Sequence, residues 1–262
     1  MKQAMILAAG LGTRLKPLTD TMPKALVPVG GKPLLDIQIE KLQQAGYDRF
    51  VVNVHHFAQQ IVDHVNERKE KILISDETSE LLETGGGLKK AQGLFRDDEP
   101  ILIHNVDILD NVDYEWFRRQ HQDDEDAVLL VSRRKTKRYL LFDNAMRLMG
   151  WKNIETGEVK SPFPWLREAE FTIGNDLEVR AAANSSLFTH HSSLHAFAFS
   201  GIHSFSPRLF PLMDRFPDRF PIIDFYLSVC HRSRIVGLVK NDLKVLDVGK
   251  LDSLSAAEEF LK

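Results

Sequence analysis

Short apolar runs alternate with longer stretches of helical periodicity through the first half of the chain. The apolar runs predict buried strands, at residues 4–9, 50–54, 72–74, 101–103 and 127–131. Between them, apolar residues recur at spacings of three and four, most clearly over residues 34–45, where Gly46 stands at the position of a C-terminal helix cap. Further helices are predicted at residues 59–65, 88–94 and 114–122. Strands joined by helical crossovers predict an α/β fold with a mostly parallel sheet and helices on both faces.

The second half of the chain has a less regular pattern. Residues 140–159 are typical of one or two β-hairpins, with turns near Asn144 and Gly157. Strands are predicted at residues 197–202, 235–239 and 243–248, and helices at residues 221–230 and 253–261. Residues 160–196 have mixed polarity and are interpreted as a possible insertion. Because no repeat or low-complexity linker interrupts the pattern, we expect a single domain over residues 1–262.

The composition excludes several classes of protein. Among 262 residues, 34 Lys and Arg oppose 37 Asp and Glu for a net charge of −3, whereas a protein that coats nucleic acid needs a positive surface. No apolar stretch approaches the ~18 residues of a membrane-spanning helix. The single cysteine, Cys230, cannot form an internal disulfide, which fits a reducing compartment. We therefore expect a cytoplasmic protein with neither nucleic-acid nor membrane partners.

The loop after the first predicted strand carries the strongest chemical signal. Gly10 and Gly12 let the backbone approach a ligand closely and direct several N–H groups toward one point, an arrangement that suits a phosphate. Arg14 and Lys24 add positive charge, the first as a bidentate fork and the second as a compact ammonium group. A tight turn without a ligand is the simpler interpretation of two glycines, but the added cations favour a polyphosphate site.

Two better-known glycine motifs do not fit the chain. The dinucleotide-binding fingerprint requires a small residue where this loop has Leu15. The P-loop requires serine or threonine after Gly30-Gly31-Lys32, where the chain has Pro33. The predicted phosphate site is therefore of another kind.

Two further segments are candidates for ligand contact. Asp107 follows the apolar run over residues 101–105, and a carboxylate at the carboxyl end of a strand suits Mg²⁺, which takes one or two carboxylates together with substrate phosphates and water. Glu83 and Gly86 precede the helix predicted at residues 88–94, where backbone amides could meet an anion or a base edge. A flexible entry into that helix is the alternative interpretation.

Residues 7–36, LAAGLGTRLKPLTDTMPKALVPVGGKPLLD, resemble the signature of the sugar-1-phosphate nucleotidyltransferases, also called nucleotide-sugar pyrophosphorylases. Weaker similarity continues through most of the chain, at residues 53–61, 82–91, 199–203 and 247–254 and in the strand that ends at Asp107. The resemblance implies a Rossmann-like, doubly wound sheet with active-site loops at the carboxyl ends of the strands. It also implies a nucleotide-binding half over residues 1–132 and a sugar-binding half over residues 133–262.

The family resemblance implies a Mg²⁺-dependent reaction, in which the phosphate of a sugar 1-phosphate attacks the α-phosphorus of a nucleoside triphosphate and pyrophosphate leaves. Arg14 matches the loop arginine that meets the triphosphate and Lys24 the lysine at the reacting phosphates, so both are expected to be catalytic. Asp107 and Asp247 match the two metal-binding aspartates. The expected nucleotide-binding residues are Ala9, Gly10, Gly12, Thr13, Arg14, Glu83, Gly86 and Asn105. The expected sugar-binding residues are Ser200 and Gly201.

The segment around Glu83 bears on the choice of substrates. Its form, LETGGG over residues 82–87, most resembles the N-acetylmuramate 1-phosphate uridylyltransferases, which favours UTP and N-acetylmuramate 1-phosphate. The alternatives are a mannose- or heptose-1-phosphate guanylyltransferase, a cytidylyltransferase that acts on a non-sugar phosphate, and a non-catalytic regulatory protein that binds a nucleotide sugar. We expect a monomer or a small homo-oligomer.

One departure from the family pattern lies beside the expected metal site. Many members have Asn-Gly-Asp where this chain has Asn105, Val106 and Asp107. Valine strongly disfavours a positive φ and adds bulk where glycine allows close approach. The sequence therefore leaves two alternatives: the backbone at Val106 is unstrained, or the sugar is positioned differently.

Overall fold

The structure, a computed structural model, describes residues 2–181 and 193–262, whose helices and strands are numbered here in chain order. The strands are β1 (Lys2–Leu7), β2 (Pro28–Val29), β3 (Lys32–Pro33), β4 (Tyr47–Val54), β5 (Ile72–Asp76), β6 (Ile101–Asn105), β7 (Ile108–Asp110), β8 (Ala127–Ser132), β9 (Arg138–Phe142), β10 (Leu148–Asn153), β11 (Val159–Lys160), β12 (Phe171–Ile173), β13 (Val179–Ala181), β14 (His195–Phe205), β15 (Ile235–Val239) and β16 (Val245–Asp247). The α-helices are α1 (Leu34–Gln44), α2 (Ala58–Asn66), α3 (Glu83–Lys90), α4 (Tyr114–Arg119), α5 (Pro164–Arg167), α6 (Phe210–Met213), α7 (Ile222–Val229) and α8 (Ser253–Phe260).

The described chain divides into two compact units. The first contains the residues up to Arg119 together with Ser204–Ile222 and Leu243–Lys262, and the second contains the residues from Gln120 to His203 together with Ile223–Asp242. The N-terminal segment of the first unit therefore ends before β8, whereas the nucleotide-binding half was expected to extend to residue 132. The boundaries differ because β8 pairs with β15, a strand of the second unit. One domain with two functional halves remains a prediction.

The first unit is built on a parallel sheet with strand order β6-β1-β4-β5. The chain runs outward from β1 through β4 to β5 and then returns to β6 on the other side of β1. Because such crossovers are right-handed, α1 and α2 cover one face of this sheet and α3 covers the other. The strand order thus reverses between β1 and β6, and in open α/β sheets the crevice outside the carboxyl ends at such a point is where ligands bind. The predicted α/β fold, with its Rossmann-like, mostly parallel sheet, is confirmed.

Strands β1 and β6 are buried along nearly their whole length, since each lies inside the sheet. This burial explains why their sequences are continuous apolar runs rather than alternating ones. Helix α1 ends as predicted, because Gly46 adopts a φ of +81° just beyond it. No helix within the described ranges is both long and apolar enough to cross a membrane.

The second unit combines one parallel strand pair with antiparallel hairpins. Strands β8 and β15 run parallel, and β9, β10 and β11 form an antiparallel meander. The hairpins predicted in residues 140–159 are therefore confirmed, with Gly157 at a φ of +77° in the second turn. The possible insertion at residues 160–196 contains α5 and the β12–β13 hairpin, whereas residues 182–192 lie outside the described residues.

Helix α3 begins earlier than predicted and contains all three consecutive glycines. A Cβ at Gly85 would lie 2.9 Å from the carbonyl oxygen of Phe220, and one at Gly86 would collide with the carbonyl oxygen of Asp218. The amides of Gly85 and Gly86 both donate to the Phe220 carbonyl, at 2.9 and 3.1 Å. Each glycine costs a helix about 1 kcal/mol relative to alanine. The triplet is retained in a helix because the segment around Phe220 packs directly on the helix backbone.

We expect the Gly86→Ala substitution to lower the free energy of unfolding by about 1–3 kcal/mol, because the added methyl group meets backbone that cannot move aside cheaply. Urea unfolding followed by circular dichroism measures this change. Gly93→Ala is the matched control, since a Cβ at Gly93 meets nothing within 4 Å. Equal effects of the two substitutions would contradict the packing role of the triplet.

Candidate active site

A cavity of about 400 Å³ opens where the strand order of the first unit reverses. The loop after β1 contributes Ala9 and Gly10, and the turn after β6 contributes Asn105, Val106 and Asp107. The cavity therefore lies at the carboxyl ends of the two strands that flank the switch point, the position that the topology of open α/β sheets favours for a ligand.

Several residues expected from the sequence meet at this cavity. Ala9, Gly10, Glu83 and Asn105 from the predicted nucleotide-binding set line it, as do Lys24 and Asp107. The other expected residues of the first unit, which are not among its lining residues, are Gly12, Thr13, Arg14, Gly86 and Asp247. Their contacts show what each of them does in the structure.

Two cation–carboxylate pairs involve the four charged residues that the sequence singled out. The ammonium group of Lys24 donates to Oδ2 of Asp107, and both side chains are mostly buried, with 12% and 15% of their surface exposed. Nη2 of Arg14 lies 3.7 Å from Oδ2 of Asp247, and this second pair is half-exposed. A Cβ at Gly249 would lie 2.6 Å from that nitrogen, so the guanidinium group packs closely on this glycine.

Pairing of β7 with β16 joins these two charge pairs across a long stretch of sequence. In its register Asp247 stands opposite Ile108, the residue after Asp107. The amide of Val248 also donates to the carbonyl oxygen of Asp107 at 2.8 Å. The two aspartates expected to bind metal are therefore held on neighbouring stretches of one small antiparallel sheet.

The pair Asp107 and Asp247 suits a hard cation. The described part of the chain holds no group of three or more His, Cys, Asp or Glu side chains placed to bind a metal. Mg²⁺ does not require such a group, because it commonly uses one or two carboxylates and completes its shell with substrate phosphates and water. The oxygen donors present therefore fit Mg²⁺ better than zinc, for which structural sites use four protein ligands and catalytic sites three.

Gly12 shapes the loop that carries Arg14. It adopts a φ of +64°, and its carbonyl accepts the hydroxyl of Thr19 at 2.8 Å. A Cβ at Gly12 would lie 2.8 Å from Cγ2 of Thr19, so both the backbone conformation and the close approach require glycine. The exposed Thr13 and Arg14 follow in a short 3₁₀ turn. Gly10 differs, because a Cβ there would point into open space beside the cavity.

Asn53 and Glu77 are cavity residues that the sequence analysis missed. Asn53, at the carboxyl end of β4, accepts the amide of Ala8 at 2.7 Å and donates to Oε1 of Glu77 at 2.7 Å. Oε2 of Glu77 accepts the amide of Leu82 at 3.2 Å. Glu77 is fully buried, and burial raises the pKa of its carboxyl group. A Cβ at Gly87 would lie 2.6 Å from Oε1 of Glu77, which explains the third glycine of α3.

Glu83 and Gly86 lie in different surroundings although both belong to α3. Glu83 lines the cavity with a left-handed backbone, at a φ of +62°, and its carboxylate pairs with Arg219 at 3.2 Å. A left-handed conformation at a residue other than glycine stores strain, typically at ligand-binding positions. Gly86 is not brought to the cavity, because its amide is bonded to Phe220 and its α-carbon packs on Asp218. The structure thus gives Gly86 a packing role, and its contact with a nucleotide remains a prediction.

The backbone at Val106 is unstrained. Val106 is not among the described non-glycine residues with a positive φ, it is buried, and its amide donates to the carbonyl oxygen of Leu7 at 3.1 Å. Of the two alternatives that the sequence left open, the first is therefore correct.

Ser200 and Gly201 belong to the second unit. The hydroxyl of Ser200 is buried and donates to the carbonyl oxygen of Leu130 at 2.8 Å. Gly201 adopts a φ of +85°, which explains the choice of glycine. Their expected contact with a sugar remains a prediction.

Comparison with known proteins connects this site with a family. Relatives named N-acetylmuramate alpha-1-phosphate uridylyltransferase are 48% identical over 113 residues in Caulobacter vibrioides, covering 41% of this chain and 46% of the relative, and 41% identical over 115 residues in Neisseria meningitidis, covering 43% and 49%. A mannose-1-phosphate guanyltransferase of Emericella nidulans is 36% identical over 135 residues, covering 48% of this chain and 37% of the relative. The chain spans about half the length of the two uridylyltransferase relatives.

Solved structures of low sequence identity share the fold. HddC from Yersinia pseudotuberculosis complexed with GMP-PN matches with a TM-score of 0.64 at 23% identity, over 100% of both chains. The inositol-1-phosphate CTP transferase from T. maritima matches with a TM-score of 0.71 at 15% identity, over 100% of this chain and 95% of that one. At these identities the likeness concerns the fold alone.

A family model described as nucleotidyl transferase matches residues 3–139, which is more than half of the chain. The match contains the loop after β1 as well as Lys24 and Asp107, the pair that lines the cavity. On this evidence the chain belongs to the nucleotidyl transferase family.

Proposed function

We propose that this protein transfers a nucleotidyl group from a nucleoside triphosphate to a sugar 1-phosphate, forming a nucleotide sugar and pyrophosphate. The observation that carries the proposal is the arrangement of two charge pairs that the β7–β16 pairing brings onto neighbouring stretches of chain: Lys24–Asp107, which lines the switch-point cavity, and Arg14–Asp247. Two cations and two carboxylates so placed suit a reaction between polyphosphates, whose transition state needs positive charge and alignment more than covalent help.

The chemistry requires little proton transfer from the protein. A phosphate oxygen of the sugar 1-phosphate, already ionised at neutral pH, attacks the α-phosphorus in line. The bond between the α-phosphorus and the bridging oxygen breaks, and pyrophosphate leaves with the electron pair. Lys24 stabilises the charge that develops on the reacting phosphate, and Arg14 binds triphosphate oxygens through its bidentate fork. A Cβ at Gly10 would meet no atom within 4 Å, so the space beside this residue leaves room for those phosphates.

We propose that Asp107 and Asp247 hold a Mg²⁺ ion. When bound, the ion would neutralise phosphate charge and help to fix the geometry of the triphosphate. Each carboxylate faces a cationic side chain in the structure. Substrate phosphates attract the same two cations, so their arrival frees carboxylate oxygens for the metal.

The leading substrates are UTP and N-acetylmuramate 1-phosphate. The relatives from Caulobacter and Neisseria support this choice, and so does the LETGGG segment that begins α3. A mannose- or heptose-1-phosphate guanylyltransferase is the second candidate, supported by the relative from Emericella. A non-catalytic nucleotide-sugar-binding protein is less favoured, because Arg14, Lys24 and both aspartates are retained. The cytoplasmic location and the oligomeric state remain predictions.

We expect pyrophosphate release from one pair in a panel of UTP, GTP, CTP and dTTP against sugar 1-phosphates of N-acetylmuramate, mannose, glucose and N-acetylglucosamine. The signal should require Mg²⁺ and disappear with EDTA. Release with UTP and N-acetylmuramate 1-phosphate supports the leading candidate, and release with GTP and mannose 1-phosphate supports the second. Tight nucleotide binding that EDTA does not affect, with no release in any combination, contradicts an enzymatic function.

The Lys24→Ala and Asp107→Ala substitutions should each lower kcat by at least ~10²-fold, as the loss of a transition-state charge contact commonly does. Pyrophosphate release measures kcat, and circular dichroism tests whether the variants remain folded. Lys32→Ala is the matched control, because this lysine pairs with Glu40 on the surface and lies outside the cavity. A near-normal rate in either site variant removes that residue from the mechanism.

A further inference from the structure

A buried cluster of polar side chains holds the stretch between Asn105 and Asp110, which includes Asp107. Its members are His104 on β6, Asp110 on β7, Tyr114 on α4, and Gln38 and Lys41 on α1. The side chains of His104 and Asp110 are 0% and 1% exposed. None of the five is required by the chemistry proposed above, yet burying charged groups is costly unless they are paired.

The imidazole ring of His104 bridges two acceptors. Nδ1 lies 2.7 Å from the carbonyl oxygen of Asn105, which can only accept a hydrogen bond. Nε2 lies 3.1 Å from Oδ2 of Asp110. Both ring nitrogens therefore need a proton if Asp110 is ionised.

The surroundings of Asp110 keep its carboxylate ionised. Its oxygens accept the hydroxyl of Tyr114 at 2.8 Å, the ammonium group of Lys41 at 2.5 Å and the amide of Val112 at 2.8 Å. Burial alone would raise the pKa of Asp110, but hydrogen bonds and positive charge from His104 and Lys41 hold this pKa well below its usual value. The contact of Nδ1 with the Asn105 carbonyl remains the one at which the ring must donate, because a carbonyl oxygen can only accept.

The same cluster fixes three backbone carbonyls on either side of Asp107. His104 donates to the carbonyl of Asn105, Nε2 of Gln38 donates to that of Ile108 at 2.6 Å, and Lys41 donates to that of Asp110 at 2.6 Å. The His104 bond acts on the peptide that leads directly into Val106 and Asp107. Rotation of this peptide would displace the carboxylate that faces Lys24.

We propose that His104 is a positioning residue, whose Nδ1–H orients the turn between Asn105 and Asp107 and thereby places the Asp107 carboxylate for catalysis. The expected effect on kcat rests on the proposed nucleotidyl transfer, whereas the expected effect on the orientation of the turn does not. A residue that only stabilises the core would affect folding without a selective effect on the turn.

Two substitutions of His104 test the roles of its two ring nitrogens one at a time. In His104→Asn the side-chain amide reaches the position of Nδ1 and retains the donor to the Asn105 carbonyl. In His104→Gln the amide reaches the position of Nε2 and retains the donor to Asp110, but the Asn105 carbonyl loses its partner. Both variants lose the imidazole ring and replace it with a neutral amide, so they disturb the core in comparable ways.

In steady-state kinetics with Mg²⁺, His104→Gln should lower kcat by about tenfold or more while KM for the triphosphate changes by less than about threefold, since small misplacements of a reacting group have large effects on rate. His104→Asn should stay within about threefold of the wild-type kcat because it keeps the positioning donor. His64→Asn is the matched control, because its amide reaches only the position of Nδ1 and it therefore removes another His–Asp contact of the first unit, that of Nε2 of His64 with Asp36 at 2.9 Å. Equal losses in the two His104 variants, or no loss in His104→Gln, would overturn the proposal.

Amide hydrogen exchange tests the positioning role without any turnover. The reporter is the amide of Val106, which donates to the carbonyl of Leu7 at 3.1 Å. We expect it to exchange at least about tenfold faster in His104→Gln than in His104→Asn, because local opening controls exchange. Equal exchange rates in the two variants would overturn the positioning role. If the exchange rates differ as expected but the wild-type protein releases no pyrophosphate, only the proposed reaction is refuted.

Nitrogen-15 NMR of the wild-type ring completes the test and depends on no variant. A proton on Nδ1 of His104 is expected, since the carbonyl oxygen of Asn105 can only accept a hydrogen bond. A ring without a proton on Nδ1 would overturn the proposal, because the bond to the Asn105 carbonyl could not then form. This measurement decides the question even where a His104 variant fails to fold.

Discussion

The reversal of strand order between β1 and β6 is the constraint on which the rest of the site depends. Right-handed crossovers carry the chain away from β1 on one side and back to β6 on the other, which leaves a crevice outside the carboxyl ends of these two strands. The loop after β1 and the turn after β6 must therefore face the same crevice. The cavity that holds Lys24 and Asp107 is a direct result of this topology.

Charge compensation within the site follows from the placement of those loops. A site for a polyphosphate needs cationic side chains, and a site for its metal ion needs carboxylates. These cationic and anionic side chains therefore lie close together before any ligand binds. The structure pairs them as Lys24 with Asp107 and Arg14 with Asp247. This pairing lowers the cost of holding like charges in one place, and each partner can be exchanged for a substrate group of the same sign.

The features of the fold and the site that depend on residues close together in the sequence could be predicted, whereas those that depend on distant segments could not. The parallel strands and α1 were predicted from local apolar periodicity, and the chemistry of the loop after β1 from its glycines and cations. The sequence analysis missed the network of Asn53 and Glu77, although Asn53 lies at the end of one predicted strand and Glu77 shortly after another. The strand-end rule applied to Asp107 could have found them. The packing role of Gly85 and Gly86 could not be predicted for a different reason, because the segment around Phe220 that requires them lies more than 130 residues further along the chain.

The valine between Asn105 and Asp107 shows how a departure from a family pattern can be accommodated. A positive φ is what most often requires glycine at such a position, and Val106 does not have one. Instead, three successive residues are each fixed through one backbone group: the carbonyl of Asn105 by His104, the amide of Val106 by Leu7, and the carbonyl of Asp107 by Val248. A β-branched residue restricts the backbone further, because it has fewer conformations in the unfolded chain than glycine has. The valine therefore adds rigidity to a turn whose task is to hold one carboxylate in place.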